Sequence, residues 1–81
     1  KYFEFSEPYY ALIKANDERT ALKKNDDLIA DKNDVSVQEV SKDYAYGRFF
    51  NALVGIRPSI RIKELKDLFI KNDILLVDGN L

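Results

Sequence analysis

The chain has 81 residues, of which 46% are hydrophobic and 33% charged, and its formal net charge is −1. This composition is typical of one globular domain and lacks the strongly basic balance of a general nucleic-acid binder. The sequence has no His, Cys, Met or Trp, so the common general base, thiol nucleophile and soft metal ligands are missing. We therefore expect a protein that is not an enzyme, with no catalytic residue, no metal and no cofactor.

The chain opens on two predicted strands. Aromatic residues alternate with an acid over residues 2–5, and a second apolar stretch covers residues 9–15. Enrichment in aromatic and branched residues favours strands. Pro8 cannot donate to a strand ladder and marks the turn between them. The short connection predicts an antiparallel hairpin.

A helix and a third strand follow. Asn16 and Asp17 are good N-cap residues, and apolar residues then recur at helical spacing to Ala30, which predicts an amphipathic helix. Residues 31–34 are polar and predict a loop. Alternation of apolar and polar residues over 35–40 predicts a half-buried strand.

The last three predicted elements are two helices and a strand. Ser41 supplies cap chemistry for a helix that we expect to end near Gly55. Pro58 disfavours helical geometry before it and separates this helix from the next, predicted over residues 60–71. The short continuous apolar run at 74–77 predicts a strand.

The predicted element order is ββαβααβ within a single domain over residues 1–81. It favours the α+β class, with a four-stranded mixed sheet and three helices mainly on one face. The periodicity of these elements predicts one core cluster. Its members are Phe3, Phe5, Ile13, Leu22, Ile29, Val37, Phe49, Leu53, Leu65 and Phe69.

Two tyrosines are candidates for partner binding. Because side chains alternate along a strand, Tyr2 is predicted to face away from Phe3 and Phe5, with either Tyr9 or Tyr10 beside it on the paired strand. If helices cover one face alone, these tyrosines lie on an open sheet. They then either stabilise the hairpin across its strands, form a protein interface, or stack on single-stranded nucleic acid.

A basic segment supplies the other candidate residues. Arg57, Arg61 and Lys63 flank the predicted break with no acidic residue between them. Basic side chains near a helix N-terminus favour a phosphate or an acidic protein partner. The alternative is a solvated face on which these side chains pair loosely with Glu64 or Asp67.

The acidic residues near the end of the first helix do not form a recognisable metal motif. Asp26, Asp27, Asp31 and Asp34 are close in sequence, and carboxylate oxygens are the ligands that Ca²⁺ and Mg²⁺ prefer. A calcium loop also needs acids at alternate positions, a glycine and a distal Glu, and this pattern is missing. We interpret these carboxylates as a solvated surface.

Three stretches together resemble a known group of proteins. They are residues 9–15 with the helix cap that follows, residues 37–41 and residues 74–80. This combination is similar to small uncharacterised proteins carried by phages and prophages of low-GC Gram-positive bacteria. The resemblance implies an accessory role in the cytoplasm of a bacterial host, and it carries no functional residues over to this chain.

The sequence thus leads to two hypotheses about function. The first is a non-enzymatic phage or prophage accessory protein that acts by protein–protein interaction, with a second copy of the chain, in a homodimer, as one candidate partner. The alternative is a small single-stranded nucleic-acid-binding protein that uses the sheet aromatics and the Arg57–Lys63 segment. No apolar run approaches the roughly 20 residues of a membrane span, so we expect no membrane partner.

Overall fold

Three helices and four strands make up the described part of the chain. The computed structural model describes residues 1–7, 9–28 and 35–77. The α+β class and the order ββαβααβ are confirmed. In chain order the elements are β1 Tyr2–Glu7, β2 Ala11–Lys14, α1 Glu18–Leu28, β3 Ser36–Val40, α2 Lys42–Ile56, α3 Ile62–Lys71 and β4 Ile74–Val77.

The strands form one sheet in the order β3-β1-β2-β4. Each neighbouring pair is antiparallel, with Phe3 opposite Ile13 on one side and Glu39 on the other. The prediction of a mixed sheet is therefore wrong in this detail. After α1, the chain places β3 beyond β1 rather than beside β2, so the parallel strands β2 and β3 are never neighbours.

One face of the sheet packs against α1. Phe3 and Phe5 of β1 are 1% and 0% exposed, and Ala21 of α1 lies in the same cluster. The remaining members of this α1-face cluster come from the sheet and from α1. They are the buried Ala11, Ile13 and Ala15 and the partly buried Leu22, Val35 and Val37.

The opposite face packs against both α2 and α3, so two of the three helices share a face. This α2–α3-face cluster has six buried residues, Leu12, Ala45, Phe49, Leu65, Phe69 and Leu75. The single core predicted from periodicity is thus divided by the sheet. Alternate residues of one strand point to opposite sides, and helices of similar amphipathic pattern cover either side. Ile29, also predicted for the core, lies outside the described residues.

Two of the predicted helix caps are present. The Asp17 carboxylate accepts a hydrogen bond from the backbone N–H of Thr20 at 2.8 Å, which lowers the pKa of Asp17. The Ser41 hydroxyl accepts one from the backbone N–H of Tyr44 at 3.1 Å. Both bonds satisfy donors that the first turn of a helix leaves free.

The break between α2 and α3 differs from the prediction. Helix α2 continues past Gly55, and the N–H of Arg57 bonds to the carbonyl of Leu53 at 2.7 Å. Helix α3 begins at Ile62, two residues later than predicted, and its N-cap residue Arg61 makes no side-chain cap hydrogen bond. The turn around Pro58 is therefore wider than the sequence suggests.

The remaining differences concern strand lengths and regions that are not described. Strand β1 extends two residues further than predicted, and β2 is shorter at both ends. The predicted turn residue Pro8, the predicted end of the first helix at Ala30 and the predicted loop 31–34 lie outside the described residues.

Candidate binding surface

Tyr2 lies inside an aromatic stack rather than on an open sheet. Its ring is stacked on Phe69 of α3, with centroids 5.3 Å apart and planes 10° apart. Tyr46 meets the same Phe69 ring edge-on at 5.1 Å, and Phe49 lies 5.6 Å from it. Helices α2 and α3 therefore cover the face on which Tyr2 was predicted to be free.

Tyr10 belongs to a polar group of four side chains, which we call the tyrosine–carboxylate cluster: Glu4, Tyr10, Tyr44 and Arg48. The Glu4 carboxylate accepts hydrogen bonds from Tyr10 at 2.8 Å and from Tyr44 at 2.8 and 3.0 Å. Arg48 Nε lies 3.6 Å from Glu4 Oε2 and donates to the Tyr10 hydroxyl at 3.3 Å. Its guanidinium carbon is 4.9 Å from the centre of the Tyr10 ring.

The surroundings of the cluster keep its phenols protonated. Burial raises the pKa of Tyr10 to about 12; the hydrogen bond from Arg48 opposes this rise, and the bond to Glu4 adds to it. The pKa of Tyr44 is also raised, chiefly because its hydroxyl donates to Glu4. Both tyrosines are therefore hydrogen-bond donors near neutral pH, and they stabilise a carboxylate whose side chain is 19% exposed.

The predicted basic segment is exposed but does not converge on one point. Arg57 Nη2 donates to Glu64 Oε1 at 3.0 Å, which is the loose pairing considered as an alternative. Arg61 occupies the N-cap position of α3, and Lys63 lies exposed in its first turn. Among the described residues, no hydrogen bond joins this segment to Tyr2 or Tyr10.

The site residues predicted from the sequence include none of those at the outer edge of β4. Ile74 and Val77 are 39% and 37% exposed. A register shift in β4 places them opposite Ile13 and Ala11, and they therefore share the α1 face of the sheet. The edge itself carries no charge and no proline, which are the usual protections of an edge strand. That unprotected run is the sequence signal that could have identified this surface.

A groove runs between the flank of α2 and this edge, with a volume of 420 Å³. We call it the β4 groove. Ile56, 74% exposed, lies at the end of α2 on this flank. Among the described residues, Arg48 is the one charged residue in its lining. The lining consists of Tyr10, Arg48, Asn51, Ala52, Ile56, Leu76 and Val77.

The opposite edge of the sheet has a different character. Strand β3 exposes Ser36, Gln38 and Glu39, and Glu39 lies 4.0 Å from the Lys1 ammonium group. Polar and charged side chains of this kind discourage pairing with another strand. The apolar edge is therefore β4.

Two other hollows among the described residues are smaller. One, of 260 Å³, is lined in part by Lys42 and Lys66 of the two packed helices. The other, of 280 Å³, is lined in part by Lys14 and Lys24, and Lys24 is already paired with Asp73 at 3.1 Å. The larger volume of the β4 groove and its position beside an edge strand distinguish it from both.

In residues 1–7, 9–28 and 35–77, no helix is long and apolar enough to cross a membrane. The same residues contain no group of three or more carboxylates placed to hold a metal ion. Asp31 and Asp34 of the acidic stretch lie outside them.

Comparison with known proteins places the chain in a family. A family model described as the YosH C-terminal domain matches residues 1–76. The chain is 35% identical, over 89 aligned positions, to the SPbeta prophage-derived uncharacterized protein YosH of Bacillus subtilis (strain 168), and it spans about half that protein, since the alignment covers 100% of this chain and 56% of the relative. No solved structure matches. The resemblance to uncharacterised prophage proteins is thus confirmed, and the chain belongs to the YosH C-terminal domain family.

Proposed function

We propose that this prophage-type domain is not an enzyme and that it acts in the host cytoplasm by binding another protein at the β4 edge. The observation that carries the proposal is a set of exposed apolar side chains around an edge strand, Ile74 and Val77 on β4 itself and Ile56 at the end of α2. Their transfer from water into an interface is favourable. An unprotected strand edge beside them also offers backbone donors and acceptors.

Helices cover both faces of the sheet, so its edges are the parts that a partner can reach. Tyr2 is stacked on Phe69. Tyr10 donates a hydrogen bond to Glu4, and the guanidinium of Arg48 lies over its ring. A homodimer that buries both tyrosines at its axis would have to displace α2 and α3. The nucleic-acid alternative loses its support for the same reason, because stacking on bases needs a free ring face.

The sequence around β4 favours a different protein over a second copy. Asp73 precedes β4 and Asp78 follows it. Two β4 strands paired antiparallel in full register would place Asp73 of each copy opposite Asp78 of the other. Like charges directly opposite each other destabilise a strand pair.

Affinity capture from host cells that carry the prophage tests the proposal with matched variants. Val77→Lys places a charge at the β4 edge, and Ile62→Lys places the same charge at an apolar residue of α3 that is 52% exposed. We expect a protein that is retained by wild type and by Ile62→Lys but lost with Val77→Lys. Retention by all three chains, or by none, would contradict binding at the β4 edge.

A further inference from the structure

The lining of the β4 groove has a regular arrangement along α2. Arg48, Ala52 and Ile56 are spaced four residues apart, so they form one stripe on the flank of the helix that borders the groove. Leu76 and Val77 form the opposite wall. The stripe starts with a cation and ends with an apolar side chain, which gives the groove two chemically different ends.

The spacing of this stripe matches an extended chain. With a rise of about 1.5 Å per residue, Arg48 and Ile56 are roughly 12 Å apart along the axis of α2. Four residues of a strand span about 13 Å, and residues i, i+2 and i+4 share one face. A strand beside β4 that runs along this stripe therefore presents side chains to both ends of the groove when those side chains are four residues apart.

Arg48 has the capacity to bind a second carboxylate. Its Nε contacts Tyr10 and Glu4, while no described residue accepts a hydrogen bond from its two terminal nitrogens. Its side chain is 49% exposed. The Glu4 carboxylate also accepts hydrogen bonds from two tyrosine hydroxyls. Terminal guanidinium nitrogens bind carboxylates in a planar, two-bond geometry.

We infer that the partner supplies an extended segment that adds to the sheet as a strand next to β4, with an Asp or Glu against Arg48 and a large apolar side chain, four residues away, against Ile56. The inference rests on the proposed function and names the partner's chemistry. Strand addition satisfies backbone groups on the outer side of β4, whose one neighbour in the described part of the chain is β2. Contacts between the groove and alternate side chains of the added strand then determine which partner sequences bind.

Selection from a library of short random peptides tests this chemistry directly. With wild-type protein we expect enriched peptides to carry Asp or Glu four residues from a large apolar residue. Arg48→Gln should weaken the selected peptides by about tenfold, whereas Arg61→Gln, the matched control on α3, should leave their affinity unchanged. An equal effect of the two variants, or no enriched peptide, would overturn the inference.

N-methylation of the selected peptides tests strand pairing without altering the protein. Only every second amide of an added strand bonds to β4, so methylation of one alternate set should abolish binding and methylation of the other set should be tolerated. If both sets are tolerated, strand addition is wrong. Such a result would not contradict the proposed function, which is still supported if a cellular partner is lost with Val77→Lys. Conversely, if peptides bind β4 but no cellular partner is lost with Val77→Lys, the proposed function is contradicted and strand addition is not.

Discussion

The two faces of the sheet are packed with different chemistry. On the α1 face, Phe3 and Phe5 meet small side chains such as Ala21, and the cluster there is apolar. On the α2–α3 face, the alternate residues of the same strand are Tyr2 and Glu4, which enter an aromatic stack and a polar cluster. One strand thus supplies both layers because its side chains alternate between faces.

The comparison indicates where a partner can bind. Each face is already covered by helices, and Tyr2 and Tyr10 take part in internal contacts. The sheet therefore offers its edges, of which β4 is apolar and β3 is polar. Five predictions separate the contributions of the two faces, from the largest expected effect to the smallest.

Removal of one large ring from either face should unfold much of the molecule. Phe5→Ala acts on the α1 face and Phe69→Ala on the α2–α3 face, and both rings are buried. Each change should lower the free energy of unfolding by about 3–5 kcal/mol, measured by urea denaturation. Ile70→Ala, at a residue that is 67% exposed, is the control and should change it little.

The same variants test whether the two faces unfold together. The tyrosines in contact with a core cluster lie on the α2–α3 face, so tyrosine fluorescence reports that side. We expect Phe5→Ala to shift the fluorescence and circular dichroism transitions equally, as in a two-state domain. A fluorescence transition that Phe5→Ala does not shift would show that the faces unfold independently.

Neutralising the carboxylate of the tyrosine–carboxylate cluster should have a moderate effect. Glu4→Gln weakens acceptors for Tyr10 and Tyr44 and removes the ion pair with Arg48. We expect a loss of about 1–2 kcal/mol in unfolding free energy. Glu39→Gln, on the polar edge, removes an exposed charge and should have almost no effect. Equal losses for the two variants would mean that the cluster adds no stability.

Alkaline pH should weaken the α2–α3 face. The folded pKa of Tyr10, about 12, lies above its ordinary value of 10.0. The unfolded chain therefore loses this proton first, so the stabilisation is fully present below pH 10 and is lost as the pH rises through about 12. Tyr10→Phe should flatten the fall in stability over this window. Thermal melts of wild type and Tyr10→Phe across this pH window measure the fall in stability. An equal fall in the two proteins would contradict the raised pKa of Tyr10 as its cause.

A single buried amide distinguishes the α1 side, and its replacement should have the smallest effect. Asn25 of α1 is 1% exposed, and its side-chain oxygen has no hydrogen-bond partner among the described residues. Asn25→Leu keeps the number and branching of the side-chain heavy atoms and removes an unpaired buried oxygen, so stability should rise by about 1 kcal/mol. Asn51→Leu, at an exposed position, is the control. A lower melting temperature for Asn25→Leu would show that the amide is satisfied.

Local patterns in the sequence were sufficient to predict the elements of the fold. Alternation along residues 2–5 predicts which side chains share a face, and residue type and position alone identify Asp17 and Ser41 as caps. Such features depend on neighbours in sequence. Strand lengths and the start of α3 depend on tertiary contacts and were less accurate.

The features that could not be predicted from the sequence depend on contacts between residues that are far apart along the chain. Periodicity shows that a helix has an apolar stripe but does not show which side of the sheet it covers, and Tyr2 was therefore predicted to be exposed. The contacts of Glu4 with Tyr44 and Arg48 join residues about half the chain apart. The β4 groove likewise exists only once Ile56 and Val77 are brought together by the fold.

Hydrogen exchange in the complex with the captured partner tests the central claim, that the β4 edge is the binding surface. Amide protons that become hydrogen-bonded in an interface exchange more slowly. We predict that backbone amides of Ile74–Val77 gain protection on binding, while those of Ser36–Val40 on the polar edge stay unchanged. Protection confined to β3 or to the outer side of α3 would contradict the account.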